Sequence, residues 1–429
     1  MDVTAPTTAL APPPPARTPR GYVPTFALSG FGIYVAVLAP LYGGLSVKVQ
    51  DLVGLDQAPQ LLGLLTGSGA LFSLVVQPLA GRLSDRSMSR FGIRRPFILG
   101  GVLGMVLSLV VCGLAPNFPL LLVAWCAGQL FINLALAAQH ATLADQVPEE
   151  KRGGVSGIVG AATPAAILGG SLFLAIAPND FLRFALPALF ALVVTIMFVL
   201  VLKDPVRKER PTTTLGLRTL LTSFVFSPKK NPDFAWAWLS KLLILLGYGS
   251  VATYLTLFLG SSYGMTTDEQ LSFNAKAQIF GVGTLIVFSL AGGFISDRVG
   301  RRRPFVVASG LAIAVGVVLV GISPVFGQSG GLTMIIVAQV VMGMGAGTFF
   351  AVDQALCISL LPDPEEMAKD LGILNLAQVL ASAVSPVLAG LVFIPLGGLL
   401  FGAGYVTWFM VAAGIAVLGS AAVLKVNAR

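Results

Sequence analysis

Arginine is the residue whose spacing stands out in this chain. Between two long apolar runs, Gly81–Pro96 reads GRLSDRSMSRFGIRRP, five arginines and one aspartate in a short connector. A second copy, GGFISDRVGRRRP, surrounds Gly293–Pro304, again between apolar runs. Ser84-Asp85-Arg86 and Ser296-Asp297-Arg298 are 212 residues apart, about half the chain. An acid among guanidinium groups can pair with one of them and sit near the positive end of a neighbouring helix. Such a cluster can latch two helices in one conformation and release them in another. The competing reading is that the arginines only fix the orientation of the chain in a membrane.

Other ionisable groups lie inside apolar runs. Asp353 is the one acid well inside such a run, and His140 is the only histidine. Gln139-His140-Ala141 and Asp353-Gln354-Ala355 repeat with an offset of 214, close to that of the arginine loops. The halves therefore correspond run for run. A charge at that depth is costly and faces a water-filled cavity or a partner. Asp353, with His140 or Gln139 across the pseudo-twofold, is the candidate for a coupled proton. For His140 a plain hydrogen bond between helices is an equal alternative. Lys241 and Lys276, near the ends of apolar runs, are expected to snorkel to the surface. Tyr34, Gln77, Asn133, Gln139, Tyr248, Tyr254, Asn375 and Gln378 offer neutral amides and aromatic faces. That set suits a polyhydroxylated solute, and any member could instead be glue between helices. Cys112, Cys126 and Cys357 fall in apolar runs without metal or CxxC spacing. No catalytic constellation and no GxxxxGK[ST] loop occurs, so neither an embedded enzyme nor direct drive by a nucleotide is expected. No cofactor and no metal are expected.

The elements that must position these groups follow from composition. A mean hydropathy of +0.87, with 55% hydrophobic and 11% charged residues, does not suit a soluble domain of 429 residues. Spans of about 20 apolar residues are predicted at 23–47, 58–82, 96–115, 118–143, 154–177, 182–202, 235–259, 272–295, 304–323, 332–358, 371–395 and 400–424. Glycines at small-residue spacing, such as Gly157 with Gly160 and Gly343, Gly345 and Gly347, would let helix backbones approach closely, or are simply common in membrane helices. The fold class is thus an all-α integral membrane protein, with about 12 transmembrane helices in two pseudo-symmetric six-helix bundles. Residues 1–20, rich in Pro, Ala and Thr, read as a disordered tail. Residues 21–202 form the first bundle and 234–429 the second. Between them, 203–233 is a charged linker, with either a short amphipathic helix at Leu215–Phe226 or plain flexible chain. The net charge of +8 sits in the connectors rather than on one face, so nucleic acid is not the expected partner. With the N-terminus in the cytoplasm, all but four of the 27 basic residues fall on the cytoplasmic side; the exceptions are Lys48, Arg183, Lys241 and Lys276.

The pattern GxxSDRxxxRxGxRRP resembles the loop between the second and third helices of the major facilitator superfamily. The arginine-rich second copy resembles that of its sucrose-transporter and glycoside–pentoside–hexuronide branches, while the first departs at Ile93. The resemblance implies a gate between the halves built from Gly81, Asp85, Arg86, Arg90, Arg94 and Arg95, with Gly293, Asp297, Arg298, Arg301 and Arg302 as counterparts. In this reading Gly81 permits close contact between helices. Asp145 and Arg152, with six residues between them, resemble a charged pair of sugar-type members and are expected to clamp the loop after the fourth span. Drug antiporters of the superfamily carry a Gly-Pro pair closely followed by two glycines in span five. Here Thr163-Pro164 is followed by Gly169-Gly170 at a different spacing, and span four lacks a central arginine. The resemblance implies a monomeric secondary transporter of the plasma membrane, with both termini cytoplasmic, working by alternating access. Import of a sugar or glycoside with protons is the leading expectation. Efflux of a small amphipathic metabolite or drug by proton antiport is the alternative.

Overall fold

The computed structural model describes residues 18–206, 231–360 and 367–426. The expected amphipathic helix at 215–226 and most of the N-terminal tail lie outside the described residues. Among those described there is no strand. The first half comprises α1 (Tyr22–Ala39, continued through a π-turn at Pro40–Gly44 into Leu45–Val53), α2 (Ala58–Asp85), α3 (Arg95–Leu114), α4 (Phe118–Gln146), α5 (Glu149–Ile176) and α6 (Asp180–Val201). The second comprises α7 (Pro232–Tyr263), α8 (Thr267–Val299), α9 (Arg303–Ile322), α10 (Gly327–Ser359), α11 (Met367–Leu388, continued through a π-turn at Ala389–Phe393 into Ile394–Phe401) and α12 (Gly404–Val423).

Several boundaries were written in the sequence as caps. Asn117 and Asn179 accept from the amides of Leu120 and Leu182 and start α4 and α6. Thr266 and Glu269 form a reciprocal capping box that starts α8 five residues before its expected apolar span. Among the described residues, eleven stretches are long and apolar enough to cross a bilayer. One of them, Arg303–Ser359, is 57 residues long and is divided by a 3-10 turn at Ser323–Phe326. Gly327 follows it at φ 69, and α10 returns against α9. The twelve expected spans are therefore present as twelve helices.

Small residues set the spacing inside the second half. A Cβ on Gly343 or Gly347 would fall 2.2 Å from the carbonyl of Gly281 or Leu285 in α8. One on Gly345 would fall 2.6 Å from the carbonyl of Ser309 in α9. α10 is thus seated between two backbones by close approach, as small residues permit in lipid. Gly157 and Gly160 of α5 have nothing within 4 Å, so they do not serve that purpose in this conformation.

The halves meet through α2 with α11 and α5 with α8. Among the described residues, the close approaches lie at one end. A Cβ on Gly63 would lie 2.5 Å from the Pro386 carbonyl, and one on Gly390 only 2.1 Å from the Pro59 carbonyl. Gly81 and Gly372 lie on the same faces of α2 and α11, five turns and about 27 Å along each helix. Neither has any atom within 4 Å of an added Cβ. Leu174 of α5 and Leu271 of α8 share a cluster at the contact end, whereas Gly153, Gly154, Gly157 and Gly160 of α5 meet nothing. The molecule is closed at the end away from the arginine loops and open at the end that carries them. Gly81 therefore makes no helix contact here, because its partner helix has swung clear.

Candidate functional site

At the closed end, four charged side chains join the halves. Arg183 at the start of α6 donates to Asp180 at 2.8 Å and to Asp268 of α8 at 2.6 Å. Lys48 pairs with Asp180 at 3.3 Å and donates to the Gly113 carbonyl at 3.1 Å. Lys48 and Arg183 are both buried, and both broke the cytoplasmic rule for basic residues. Their acidic neighbours at the same helix ends were the signal for this cluster. The π-turns contribute directly. Gly43 adopts φ 151 and lies so near Leu271 of α8 that a Cβ would fall 2.8 Å from its side chain. The Tyr42 carbonyl released by that turn accepts from Asn274 of α8. Tyr254 of α7 donates to Pro386 at 2.7 Å and to Pro59 at 3.2 Å, and Ser46 donates to Thr253 at 3.3 Å.

At the open end, bonds of Arg94, Arg95, Arg302 and Arg303 tie the arginine loops to helix ends of their own halves. Arg94 bonds Asp145 of α4 at 3.1 Å and Ser84 of α2 at 2.8 Å, tying three helix ends together. Arg95 donates to the Leu202 carbonyl at the end of α6. The backbone amides of Arg94 and Arg95 both donate to Asp204 at 2.7 Å. Asp204, expected to be a solvated linker charge, thus fills the position at the start of α3 where a carboxylate offsets the helix dipole. In the second half, Arg302 donates to the Ala355 carbonyl and Arg303 to the Leu424 carbonyl. Arg90 lies over the Phe91 ring and Arg298 over the Phe294 ring. Asp297 is exposed, and a Cβ on Gly293 would fall 3.6 Å from the Ala351 side chain. Arg86 is partly buried at the α2 terminus, and Arg301 is exposed. The side chain of Asp85 lies outside what is described.

The expected Asp145–Arg152 pair does not form. Arg152 instead donates to the carbonyls of Val147 and Ala144, while Asp145 turns to Arg94. The sequence spacing was right for proximity, but Arg94 offers the acid a partner from another helix.

Asp353 is 3% exposed, and its partner is Lys241 of α7, at 3.0 Å. Cys357 lies one turn on, with its sulfur 3.7 Å from the other carboxylate oxygen. Lys241 is buried and does not snorkel. Neither expected partner across the pseudo-twofold contacts Asp353. Gln139 donates to the Phe26 carbonyl at 3.0 Å, and His140 is exposed on α4. Lys276 is exposed, as expected.

The polar candidates divide by how they are occupied. Tyr254 is held by two carbonyls, Gln139 by Phe26, and Asn133 by Ser73 at 2.6 Å and the Gln129 carbonyl at 2.7 Å. These three act as ties between or within helices. Gln77, Asn375 and Gln378 are exposed on α2 and α11, on the stretches beyond the crossing where those helices separate. Tyr34 is half-buried beside Thr163 of α5, and Tyr248 is half-buried, edge-on to Phe350 of α10. These five keep polar or aromatic surface available to a solute. No group of three or more His, Cys, Asp or Glu that could hold a metal occurs among the described residues.

Comparison with known proteins agrees with this architecture. Multidrug resistance protein MdtG of Dickeya zeae (strain Ech586) is 30% identical over 244 residues, covering 54% of this chain and 55% of that protein. The chain thus spans about half the length of this curated relative. A 49-residue stretch is 47% identical to sucrose transport protein SUC4 of Arabidopsis thaliana, 11% of this chain and 10% of that one. The solved nucleoside transporter NupG superposes with a TM-score of 0.73 at 13% identity, over 95% of this chain and all of that one (100%), a likeness of fold. The model of the Major Facilitator Superfamily matches residues 23–326 and 272–428, and the chain belongs to that family.

Proposed function

We propose that this transporter carries a small, uncharged, hydroxylated solute such as a sugar or glycoside, coupled to protons. The observation that supports this most is the opening between the halves. It is closed beyond Gly63 and Gly390, and the stretches that diverge from there present Gln77, Asn375 and Gln378. Neutral amides and aromatic faces recognise hydroxyl groups by hydrogen bonding and stacking. Asp353, the one acid well inside a span, is already neutralised by Lys241, so no free carboxylate at that depth awaits a cation. The same pair is the candidate for coupling, with Lys241 in the place expected for His140 or Gln139. A lone charge at that depth is costly. Both residues lie in the second half, so the pair parts only if α7 shifts against α10 during the cycle, and that parting calls for a proton on Asp353 or the loss of one from Lys241.

In this reading the end with the arginine loops faces the cytoplasm, since nearly all basic residues gather there. The conformation is then inward-facing, with the Lys48–Asp180–Arg183–Asp268 cluster as the outer latch. On reversal, the arginine loops would close through Gly81 and Gly372.

A second reading, efflux by proton antiport, is favoured by the similarity to the multidrug resistance protein. Proteoliposomes under an imposed pH gradient, screened over disaccharides, glycosides and cationic dyes, separate the two. Sugar accumulation driven by protons supports the first. Dye movement against its gradient with no sugar flux replaces it with the second.

A further inference from the structure

A cavity of about 970 Å³ opens beside the second arginine loop, away from the space between the halves. Arg301, Arg302 and Arg303 line it together with Val307 and Leu311 of α9 and Leu424 at the end of α12. Leu311 and Leu424 are 43% and 60% exposed, so an apolar wall runs outward from three guanidinium groups. α9 begins at Arg303, which places the guanidinium groups at the membrane–water boundary and the apolar wall at the depth of the acyl chains.

The first half shows what this position holds in the pseudo-symmetric copy. There Arg95 caps the end of α6, and the Asp204 carboxylate, two residues past Leu202, accepts from the amides of Arg94 and Arg95. In the second half, Arg303 caps the end of α12 through Leu424 in the same manner. The residue two places further on is Val426, which is buried among Phe234, Ala237 and Cys357. Among the described residues no carboxylate accepts from the amides of Arg302 and Arg303, and Arg301 has neither an ion pair nor a hydrogen bond. Asp297 lines a separate recess of about 160 Å³ with Arg302 and forms no ion pair with it.

We propose that this site binds an anionic phospholipid, its phosphate taking the place that Asp204 fills in the first half and an acyl chain lying along Val307 and Leu311. Basic pockets at the ends of membrane helices recognise such headgroups. The apolar wall selects a lipid over a free anion. The inference is independent of which solute the protein carries.

Native mass spectrometry of the purified full chain tests it, with phosphatidylglycerol, phosphatidylcholine and inorganic phosphate added in separate arms. Retention of phosphatidylglycerol at the stoichiometry of one tight site is expected, with neither of the others retained. Arg301→Gln, which removes an exposed side chain with no partner to lose, should weaken that retention about five-fold. Its melting temperature without added lipid should stay at the wild-type value, which shows that the fold is intact. Lys276→Gln, an equal change of charge on another helix, should leave retention unchanged. Equal retention of phosphatidylcholine, retention of inorganic phosphate in place of lipid, or wild-type retention by Arg301→Gln would each overturn the proposal.

Discussion

Among single residues, Lys241 and Asp353 carry the largest energetic stake. Two buried charges 3.0 Å apart are stable only as a pair, and removing one partner leaves the other uncompensated, at a cost of about 3–5 kcal/mol. Asp353→Asn and Lys241→Met should each lower the melting temperature, while the double substitution should recover most of the loss. Thermal unfolding of the three variants in one detergent measures this. Additive losses would mean that the two side chains do not act as a pair. Only part of this site was legible in the sequence. Asp353 stood out because it is alone in its span, but Lys241 was read as a snorkelling end because its partner lies 112 residues away on another helix. Asp204 was lost for a related reason. It sits in a charged stretch that reads as solvated linker, and only the fold brings it to the amides of Arg94 and Arg95.

At the scale of the helix, the account rests on α2 and α11 crossing at one end and parting at the other. Gly81→Leu places a bulky side chain on the face of α2 that must meet α11 when the arginine loops close. It should insert and fold as wild type, since nothing lies within 4 Å of that position here, yet transport should fall at least ten-fold. Wild-type flux from a well-expressed Gly81→Leu protein would place the closing contact elsewhere. The opposite end calls for a smaller effect. Asp268 is 79% exposed on its side chain, so its pair with Arg183 contributes only about 0–1 kcal/mol. Asp268→Asn should therefore leave stability nearly unchanged while raising labelling of a cysteine at Asn274, which the closed end covers. Unchanged labelling would show that the other contacts of the closed end hold it without the Arg183–Asp268 pair. Neither π-turn could be placed from sequence. Pro40 and Gly43 mark a weak point in α1, but only the approach of α8 to within contact of Gly43 explains why the break falls there.

For the whole molecule, the apolar runs and the repeated arginine loops made the twelve helices and their two-fold plan readable, because runs of about 20 apolar residues in lipid pair their backbone groups within a helix. The angle between the halves was not readable, since one sequence must support both the open and the closed arrangement. Orientation is testable with single cysteines. Met88→Cys and Val325→Cys, both at exposed positions, should label from opposite faces of sealed vesicles, the first from the cytoplasmic side. Labelling of both from one side would contradict the chain path. The most direct measurement of the central claim is transport by the neutralised pair, Lys241→Met with Asp353→Asn, using the solute that scores in the proteoliposome screen. The account predicts that this variant exchanges solute across the membrane at a rate near wild type but fails to concentrate it under an inward proton gradient. Accumulation equal to wild type would contradict it and remove the ion pair from the coupling mechanism.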